Sequence, residues 1–305
     1  YNDLIKRIRF VVMGLMILMV ASCESQNLPD VSDISMVIAT TSDVTVGINR
    51  IGFSLIDFDG HAIAAEKVKV EAIFFPAGSN RGENRYEALA EWKLIPGTVT
   101  RGLYVAYVEF DEPGEATTSN PGFWQLVSTF EVEEKELWSK AAISVFKNSS
   151  GVQLNTLVPS SVTPTGRDVD SLFEISSSLE PDPDLYELSI HEAIANGKPS
   201  VFVFATPALC VSKLCGPIVR MISEIKNDYD GNINFVHVEV FENPDVLVQE
   251  GRLSGNQVAA VEEWGLVTEP WVFVVDRDGI LINKYEIFVS SDEIRGAIGR
   301  LIDSN

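Results

Sequence analysis

Three cysteines are the residues of this 305-residue chain whose type and spacing could do chemistry. Cys210 and Cys215 are separated by four residues, whereas Cys23 lies far upstream. Two cysteines this close in sequence can form a disulfide, exchange it with a partner or bind a soft metal ion. Residues five apart in a regular helix rise by about 7.5 Å along its axis, and the Cα atoms of a disulfide usually lie within about 7 Å. A bridge therefore requires Cys210 to lie in a loop ahead of the helix.

Cys23 follows a segment with the pattern of a secretion signal. Residues 6–9 are basic, and residues 10–21 are apolar apart from Gly14. About 20 apolar residues are needed to cross the hydrocarbon core of a bilayer, so this run is too short for a transmembrane helix. We therefore predict that residues 1–22 are a cleaved signal peptide.

The junction Val20-Ala21-Ser22-Cys23 resembles the lipobox of bacterial lipoproteins. The resemblance implies that the leader is cut before Cys23 and that this cysteine is then acylated. The lipid would anchor the protein on the extracytoplasmic face of a bacterial membrane, and residues 23–34 would form a short tether. The alternative is an ordinary signal peptide with an incidental cysteine.

The composition restricts the partners. The formal net charge is −21, and no cluster of Lys and Arg lies outside the leader. Because such a field repels phosphate backbones, we exclude nucleic acid as a partner. The expected partners are the membrane, through lipid on Cys23, and proteins whose identity the sequence does not specify. No cofactor is predicted. The length and the 46% hydrophobic content predict two folded domains.

Residues 35–147 have the pattern of an all-β domain. Apolar and polar residues alternate clearly at 68–72 and at 104–108, which predicts strands with one buried face. The predicted strands cover residues 36–39, 44–48, 52–56, 68–75, 104–110 and 124–132. The stretch 102–107, followed by 121–124, resembles the late strands of immunoglobulin-like bacterial modules. This resemblance implies an immunoglobulin-like β-sandwich, in which we find no catalytic set of residues.

The rest of the chain changes to an α/β pattern. Residues 148–184 are rich in Ser, Thr, Pro and Asp, which predicts a linker between two domains. Residues 185–305 then alternate helices and strands in the order α-β-α-β-α-β-β-α. The predicted helices cover residues 189–196, 218–229, 255–264 and 290–302, and the predicted strands cover 200–205, 234–240, 271–275 and 280–287.

This order resembles the thioredoxin fold over residues 185–303. The cysteines follow the first predicted strand, and Pro270 stands immediately before the third, where thioredoxin-like proteins place a cis-proline that faces the cysteine site. The resemblance therefore implies a cis bond between Glu269 and Pro270. The spacing departs from the Cys-x-x-Cys of the family. When Cys210 is aligned with the family's nucleophile, Pro217 corresponds to the proline that kinks the first long helix.

The resemblance implies a thiol-disulfide oxidoreductase in which Cys210 attacks a partner and Cys215 resolves the mixed disulfide. Outside the cytoplasm such a pair tends to be oxidised. If Cys210 lies near the first turn of the helix and near Lys213, the local field favours its thiolate. A carboxylate at Glu269 would act against this and raise the pKa of the thiol.

Two alternatives stay open at this point. In the first, the two cysteines form a permanent structural disulfide in a redox-inactive domain that only binds partners. In the second, the protein binds copper(I), as Sco-like proteins do with two cysteines and a distant histidine on the same fold. The candidate third ligands are His237, in a predicted strand, and His191, in the first predicted helix. Three residues separate the Sco-like cysteines, whereas four separate the pair in this chain.

Overall fold

The computed structural model describes residues 34–115, 122–229 and 231–303. Within these ranges the chain forms a seven-stranded sheet, followed by a four-stranded sheet with helices packed on it. No helix in the described part of the chain is long and apolar enough to cross a membrane. The predicted signal peptide and the predicted lipidation site, Cys23, lie outside the described residues.

The first sheet contains seven antiparallel strands. They are β1 (Ile34–Ile38), β2 (Gly47–Asp57), β3 (Val68–Pro76), β4 (Glu83–Leu94), β5 (Gly102–Phe110), β6 (Gly122–Val132) and β7 (Lys135–Ile143). Their order across the sheet is β1-β2-β5-β4-β3-β6-β7. Buried and partly buried residues alternate along β3 and β6, because one face of each strand lies on the core. The sheet curls until its edges meet, where Ser139 Oγ donates a hydrogen bond to the Ile34 carbonyl oxygen at 2.9 Å.

The all-β prediction for this region is confirmed, and β4 explains how its two layers join. Residues 83–90 pair with β3, and residues 91–94 pair with β5. One strand therefore connects the two layers expected of a sandwich into a continuous curled sheet. The sequence pattern does not reveal β4 because none of its residues is fully buried. It does not reveal β7 either, in which only Ser139 and Ile143 are buried.

The second sheet contains four strands, and the described residues of the same half of the chain form five α-helices. The strands are β8 (Ser200–Phe204), β9 (Asn234–Val238), β10 (Trp271–Val275) and β11 (Leu281–Glu286). The helices are α1 (Ile190–Ala195), α2 (Cys215–Lys226), α3 (Pro244–Glu250), α4 (Ala259–Glu263) and α5 (Ser291–Asp303). The strand order is β11-β10-β8-β9, with β8 and β9 parallel and the other pairs antiparallel. Every residue of β8, β9 and β10 is buried, which requires cover on both faces.

Two apolar clusters provide this cover. Val201 and Val203 of β8 point to the face on which α2 and α5 pack. Phe202 and Phe204 point to the other face, where the rings of Phe204 and Trp264 lie 5.1 Å apart between centroids. Because both faces of β8 are packed, the end of this strand is held in place. The loop that follows it therefore starts from a fixed position.

The segment 148–184 differs from the linker that its composition predicts. Leu157 forms a β-bridge with Ile280, next to β11. The backbone N–H of Thr163 donates a hydrogen bond to Ser189 Oγ at 2.8 Å. The segment therefore packs as part of the second half of the chain. Ser and Thr side chains can bond to nearby backbone groups in ordered coil, so their abundance alone does not indicate a free linker.

Candidate functional site

The loop between β8 and α2 carries the cysteine pair. Strand β8 ends at Phe204, and α2 begins at Cys215. Within the loop, the N–H of Cys210 donates to the Thr206 carbonyl oxygen at 3.1 Å, and the N–H of Lys213 donates to the Cys210 carbonyl oxygen at 3.2 Å. The two cysteines form a disulfide, and their Cα atoms lie 6.0 Å apart. Cys210 thus lies ahead of the helix, as a bridge across four residues requires.

The two cysteines differ in exposure. Cys215 is fully buried, whereas Cys210 is 9% exposed and precedes Val211, which is 88% exposed. Leu214 packs against a small apolar cluster that includes Ile95 from the first half of the chain, so the loop is closed on that side. An incoming thiolate therefore reaches Cys210 more readily than Cys215.

Glu269 is the polar group that faces the buried cysteine. Its Oε2 lies 3.7 Å from Cys215 Sγ, and it accepts hydrogen bonds from the Thr206 N–H at 2.7 Å and from the Thr206 hydroxyl. The Glu269–Pro270 peptide bond, which we expected to be cis, is cis. Burial raises the pKa of Glu269, although the hydrogen bonds from Thr206 act in the opposite direction. This carboxyl group therefore holds a proton more readily than an exposed glutamate would.

Glu239 is a second carboxyl group close to the cysteine loop. It is 5% exposed and follows β9 directly. Its Oε2 accepts a hydrogen bond from the Ser177 N–H at 2.6 Å, and Ser177 Oγ accepts one from the Ala208 N–H of the cysteine loop at 3.1 Å. Its Oε1 has no hydrogen-bond partner among the described residues. Burial, with a contribution from the charge of Glu269, raises the pKa of Glu239 to about 8.

No motif in the sequence marks Glu239 as a site residue. The one feature that could have drawn attention to Glu239 is its position, because it directly follows a strand of five buried residues. An acidic residue at the end of such a strand either turns to solvent or is buried near the neighbouring strand ends. The sequence pattern does not decide between these two outcomes.

His237 is buried, and both of its ring nitrogens are hydrogen-bonded within the protein. Nε2 donates to the Ala205 carbonyl oxygen at 3.0 Å, which leaves Nδ1 to accept from the Tyr186 hydroxyl at 2.6 Å. Burial lowers the pKa of His237 to about 4. The ligand atoms gathered at the cysteine pair include a carboxylate oxygen of Glu269, and neither His237 nor His191 belongs to that group. To act as the third copper ligand, His237 would have to give up the hydrogen bond at its ligating nitrogen.

A groove of about 660 Å³ runs along the α2 side of the cysteine loop. Its lining includes Pro207 and Ala208 from the loop and Gly216 and Val219 from α2. Leu179, which is 89% exposed, lies at the same groove. Apolar side chains thus border open space next to the segment that carries the disulfide.

The site combines an asymmetric disulfide with a buried carboxyl group. A thiolate can attack the outer sulfur, and the inner sulfur can take up a proton from a group whose pKa is raised. In the reduced state, the same three side chains offer two sulfur ligands and one oxygen ligand. No family model matches this chain, and no curated protein matches it.

Proposed function

We propose that this protein is a membrane-anchored, extracytoplasmic thioredoxin-like protein that acts as a thiol-disulfide oxidoreductase through Cys210 and Cys215. The observation that carries the proposal is the asymmetry of the disulfide. Cys215 is fully buried, whereas Cys210 is 9% exposed and lies in a loop. Exchange requires one sulfur that a thiolate can attack and a second sulfur that leaves.

Features of the second half of the chain support a thioredoxin-like fold for residues 185–303. The parallel strands β8 and β9 lie beside two antiparallel strands, and apolar clusters cover both faces of the sheet. The helix that carries the second cysteine follows β8, and cis-Pro270 directly precedes β10. The positions of the cysteines after the first strand and of Pro270 before the third are the features on which the sequence resemblance depends.

The proposed reaction begins when a partner thiolate attacks Cys210 Sγ and forms a mixed disulfide. The Cys210–Cys215 bond breaks, and its electron pair stays on Cys215 Sγ. That sulfur takes up a proton, which Glu269 is placed to supply because its Oε2 lies 3.7 Å away.

A second thiolate of the partner then attacks the partner's own sulfur in the mixed disulfide. Cys210 leaves as a thiolate and takes up a proton from solvent. The partner has lost two electrons and two protons and gained a disulfide, and the protein holds two thiols. The reverse sequence reduces a partner disulfide and restores the Cys210–Cys215 bond.

Trapping of the mixed disulfide tests the roles of the two cysteines. In Cys215→Ser the resolving sulfur is absent, so the Cys210 thiolate should attack a disulfide-bonded peptide, release the peptide's other half as a thiol and accumulate as the mixed disulfide. Cys210→Ser is the matched control, because its remaining Cys215 is fully buried and should react at least about tenfold more slowly. Mass spectrometry of the quenched mixture measures both adducts. Equal trapping in the two variants would contradict the assignment of Cys210 as the exchanging residue.

A reduction potential separates the oxidoreductase from a second candidate, a redox-inactive binding module with a structural disulfide. The full burial of Cys215 favours that second candidate. Exchange-active proteins have potentials of about −270 to −120 mV, whereas structural disulfides of secreted proteins lie below about −300 mV. We expect the wild-type protein to fall in the first range when it is equilibrated with glutathione buffers and its free thiols are counted. A bridge that stays oxidised in every buffer would establish the binding module instead.

The proposed anchor depends on the lipobox-like junction at Cys23. In a bacterial host, Cys23→Ala should abolish the incorporation of radiolabelled palmitate, whereas Cys215→Ser should leave it unchanged. Labelling followed by immunoprecipitation measures the difference. Continued labelling of Cys23→Ala would show that the lipid is attached to another residue.

A further inference from the structure

We infer that the reduced protein binds one zinc ion through the two cysteine thiolates of Cys210 and Cys215 and a carboxylate oxygen of Glu269. Zinc binding at this site does not depend on the exchange reaction proposed above. It requires only that the Cys210–Cys215 disulfide be reduced. It is also distinct from the copper site considered from the sequence, in which a histidine was the third ligand. Zinc binding would make the loop a site whose metal content depends on the oxidation state of its cysteines.

The distances between the three groups suit a tetrahedral ion. The three ligand atoms, one from each side chain, all lie within 4.8 Å of one another. Zinc–sulfur bonds of about 2.3 Å and a zinc–oxygen bond of about 2.0 Å at tetrahedral angles place sulfur and oxygen about 3.5 Å apart. Glu269 Oε2 already lies 3.7 Å from Cys215 Sγ.

One adjustment completes the geometry. Two sulfur ligands on a tetrahedral zinc ion lie about 3.8 Å apart, which is farther than two bonded sulfur atoms. Reduction removes the bond between them, and Cys210 lies in the loop ahead of α2 rather than inside the helix. A rotation of the Cys210 side chain can therefore open the required space without moving Cys215 or Glu269.

The chemistry of the three ligands selects the class of ion. Two thiolates and one carboxylate form a mixed sulfur and oxygen set, which zinc accepts readily. Calcium and magnesium prefer oxygen ligands alone, and copper(I) prefers sulfur to a carboxylate. The N–H and the hydroxyl of Thr206 donate hydrogen bonds to the Glu269 carboxylate and orient it. Groups that do not touch the metal commonly orient its ligands in this way. With three protein ligands, the fourth position is left to water.

The experiment uses the full chain, reduced with a water-soluble phosphine. The phosphine is converted to its oxide with an oxygen atom from water, while the disulfide takes up two electrons and two protons. After the phosphine is removed, cobalt(II) serves as a spectroscopic probe, and zinc(II) is then added in competition. We expect one cobalt ion per chain, with the visible absorption of a tetrahedral site and a thiolate charge-transfer band. Zinc should displace the cobalt, and the oxidised protein should give neither band.

Two variants distinguish ligation by Glu269 from a general effect of buried charge. Glu269→Gln keeps an oxygen that can accept the Thr206 hydrogen bonds, yet it should lower the zinc affinity at least about tenfold. Glu239→Gln removes the other carboxyl group near the loop, which lies outside the ligand group, and it should leave the affinity unchanged.

Three outcomes would overturn the inference. They are an absence of zinc binding by the reduced wild-type protein, equal affinity in Glu269→Gln, and equal binding by the oxidised protein. Each differs from a failure of the proposed function, because the phosphine opens the disulfide whether or not the protein exchanges it with thiols.

Discussion

Buried ionisable side chains near the Cys210–Cys215 disulfide have pKa values shifted toward their neutral forms. Burial raises the pKa of Glu239 to about 8 and lowers the pKa of His237 to about 4. Burial also raises the pKa of Glu269. At neutral pH the side chains of Glu239 and His237 are therefore mostly neutral. The stability of the fold therefore depends on pH, because the same groups have ordinary pKa values in the unfolded chain.

Glu239 makes the stability of the protein fall as the pH rises. Its pKa is about 8 in the folded protein and about 4.3 in an unfolded chain, so the folded state binds more protons between these values. The corresponding stability is fully present below about pH 4.3 and is lost as the pH rises through 8. Glu239→Gln should remove this loss, which amounts to at most about 5 kcal/mol at about 1.4 kcal/mol per pKa unit.

Urea unfolding of wild type and Glu239→Gln at pH 7 and pH 9 measures the part of this loss that falls between pH 7 and the folded pKa of about 8, which is about 1.4 kcal/mol. His237 does not interfere, because its folded pKa of about 4 confines its contribution to pH values below about 6.5, where stability is lost as the pH falls. Glu66→Gln, at an exposed position, is the matched control and should follow the wild type. Parallel pH profiles for wild type and Glu239→Gln would show that Glu239 is ionised in the folded protein.

At the residue scale, the sequence predicted those members of the site whose chemistry is tied to residue type. Cys210 and Cys215 were found because thiols at this spacing are distinctive, and Pro270 because of its place before a strand. Glu239 and the hydrogen-bonding role of Thr206 were not found. Their properties arise from burial and from contacts between segments that are distant in sequence, and many acidic and hydroxyl residues of the chain share their local patterns.

At the element scale, the fully buried strands and four of the five described α-helices were predicted, whereas α3 and the half-exposed strands β4 and β7 were not. The seven residues of α3 are too few to show a helical period. Strand β4 shows no fully buried residue. Helix α2 begins at Cys215, three residues before the predicted start at 218. Pro217 lies in its first turn, where a missing N–H leaves no helical hydrogen bond unmade.

The contact between the segment 148–184 and the turn after α4 gives a test at this scale. Gly265 has a φ of +66°, and a Cβ there would lie 2.3 Å from the Ser150 carbonyl oxygen. Gly265→Ala should therefore lower the free energy of unfolding by about 2 kcal/mol or more. Gly299→Ala in α5 is the control, because a Cβ there meets no described atom within 4 Å. That change should raise stability by about 0.5–1 kcal/mol.

Urea denaturation of the two glycine variants measures both effects, provided that the dependence on urea concentration is unchanged. If Gly265→Ala unfolds at the same urea concentration as the wild type, the segment 148–184 does not hold its contact in solution. It would then act as the linker that its composition predicts.

At the scale of the whole molecule, polar contacts join the two halves of the chain. Arg50 of β2 donates two hydrogen bonds to the Glu293 carboxylate of α5, at 2.6 and 2.9 Å. The Glu286 carboxylate accepts a hydrogen bond from the Ser42 N–H at 3.2 Å and one from the Thr268 hydroxyl at 2.9 Å. Thr268 immediately precedes Glu269 of the site. The first half of the chain therefore contributes to the position of the segment that faces the buried cysteine.

The ion pair between Arg50 and Glu293 is the contact whose loss should matter most. Their side chains are only 8% and 11% exposed, so removal of one partner leaves an uncompensated buried charge. Arg50→Met and Glu293→Gln should each lower the free energy of unfolding by about 3–5 kcal/mol, and the double variant should lose much less than the sum. Arg295 and Asp228, whose side chains are 42% and 51% exposed, form the control pair, and Arg295→Met should cost less than about 1 kcal/mol.

A double-mutant cycle from urea denaturation separates this coupling from a general loss of packing. The Arg50 guanidinium also lies over the rings of Tyr285 and Phe288, at 5.4 and 5.7 Å from their centroids. Methionine retains the apolar part of that contact, so the cycle reports mainly on the charges. If the effects of the single variants simply add, the two halves are not coupled through this pair.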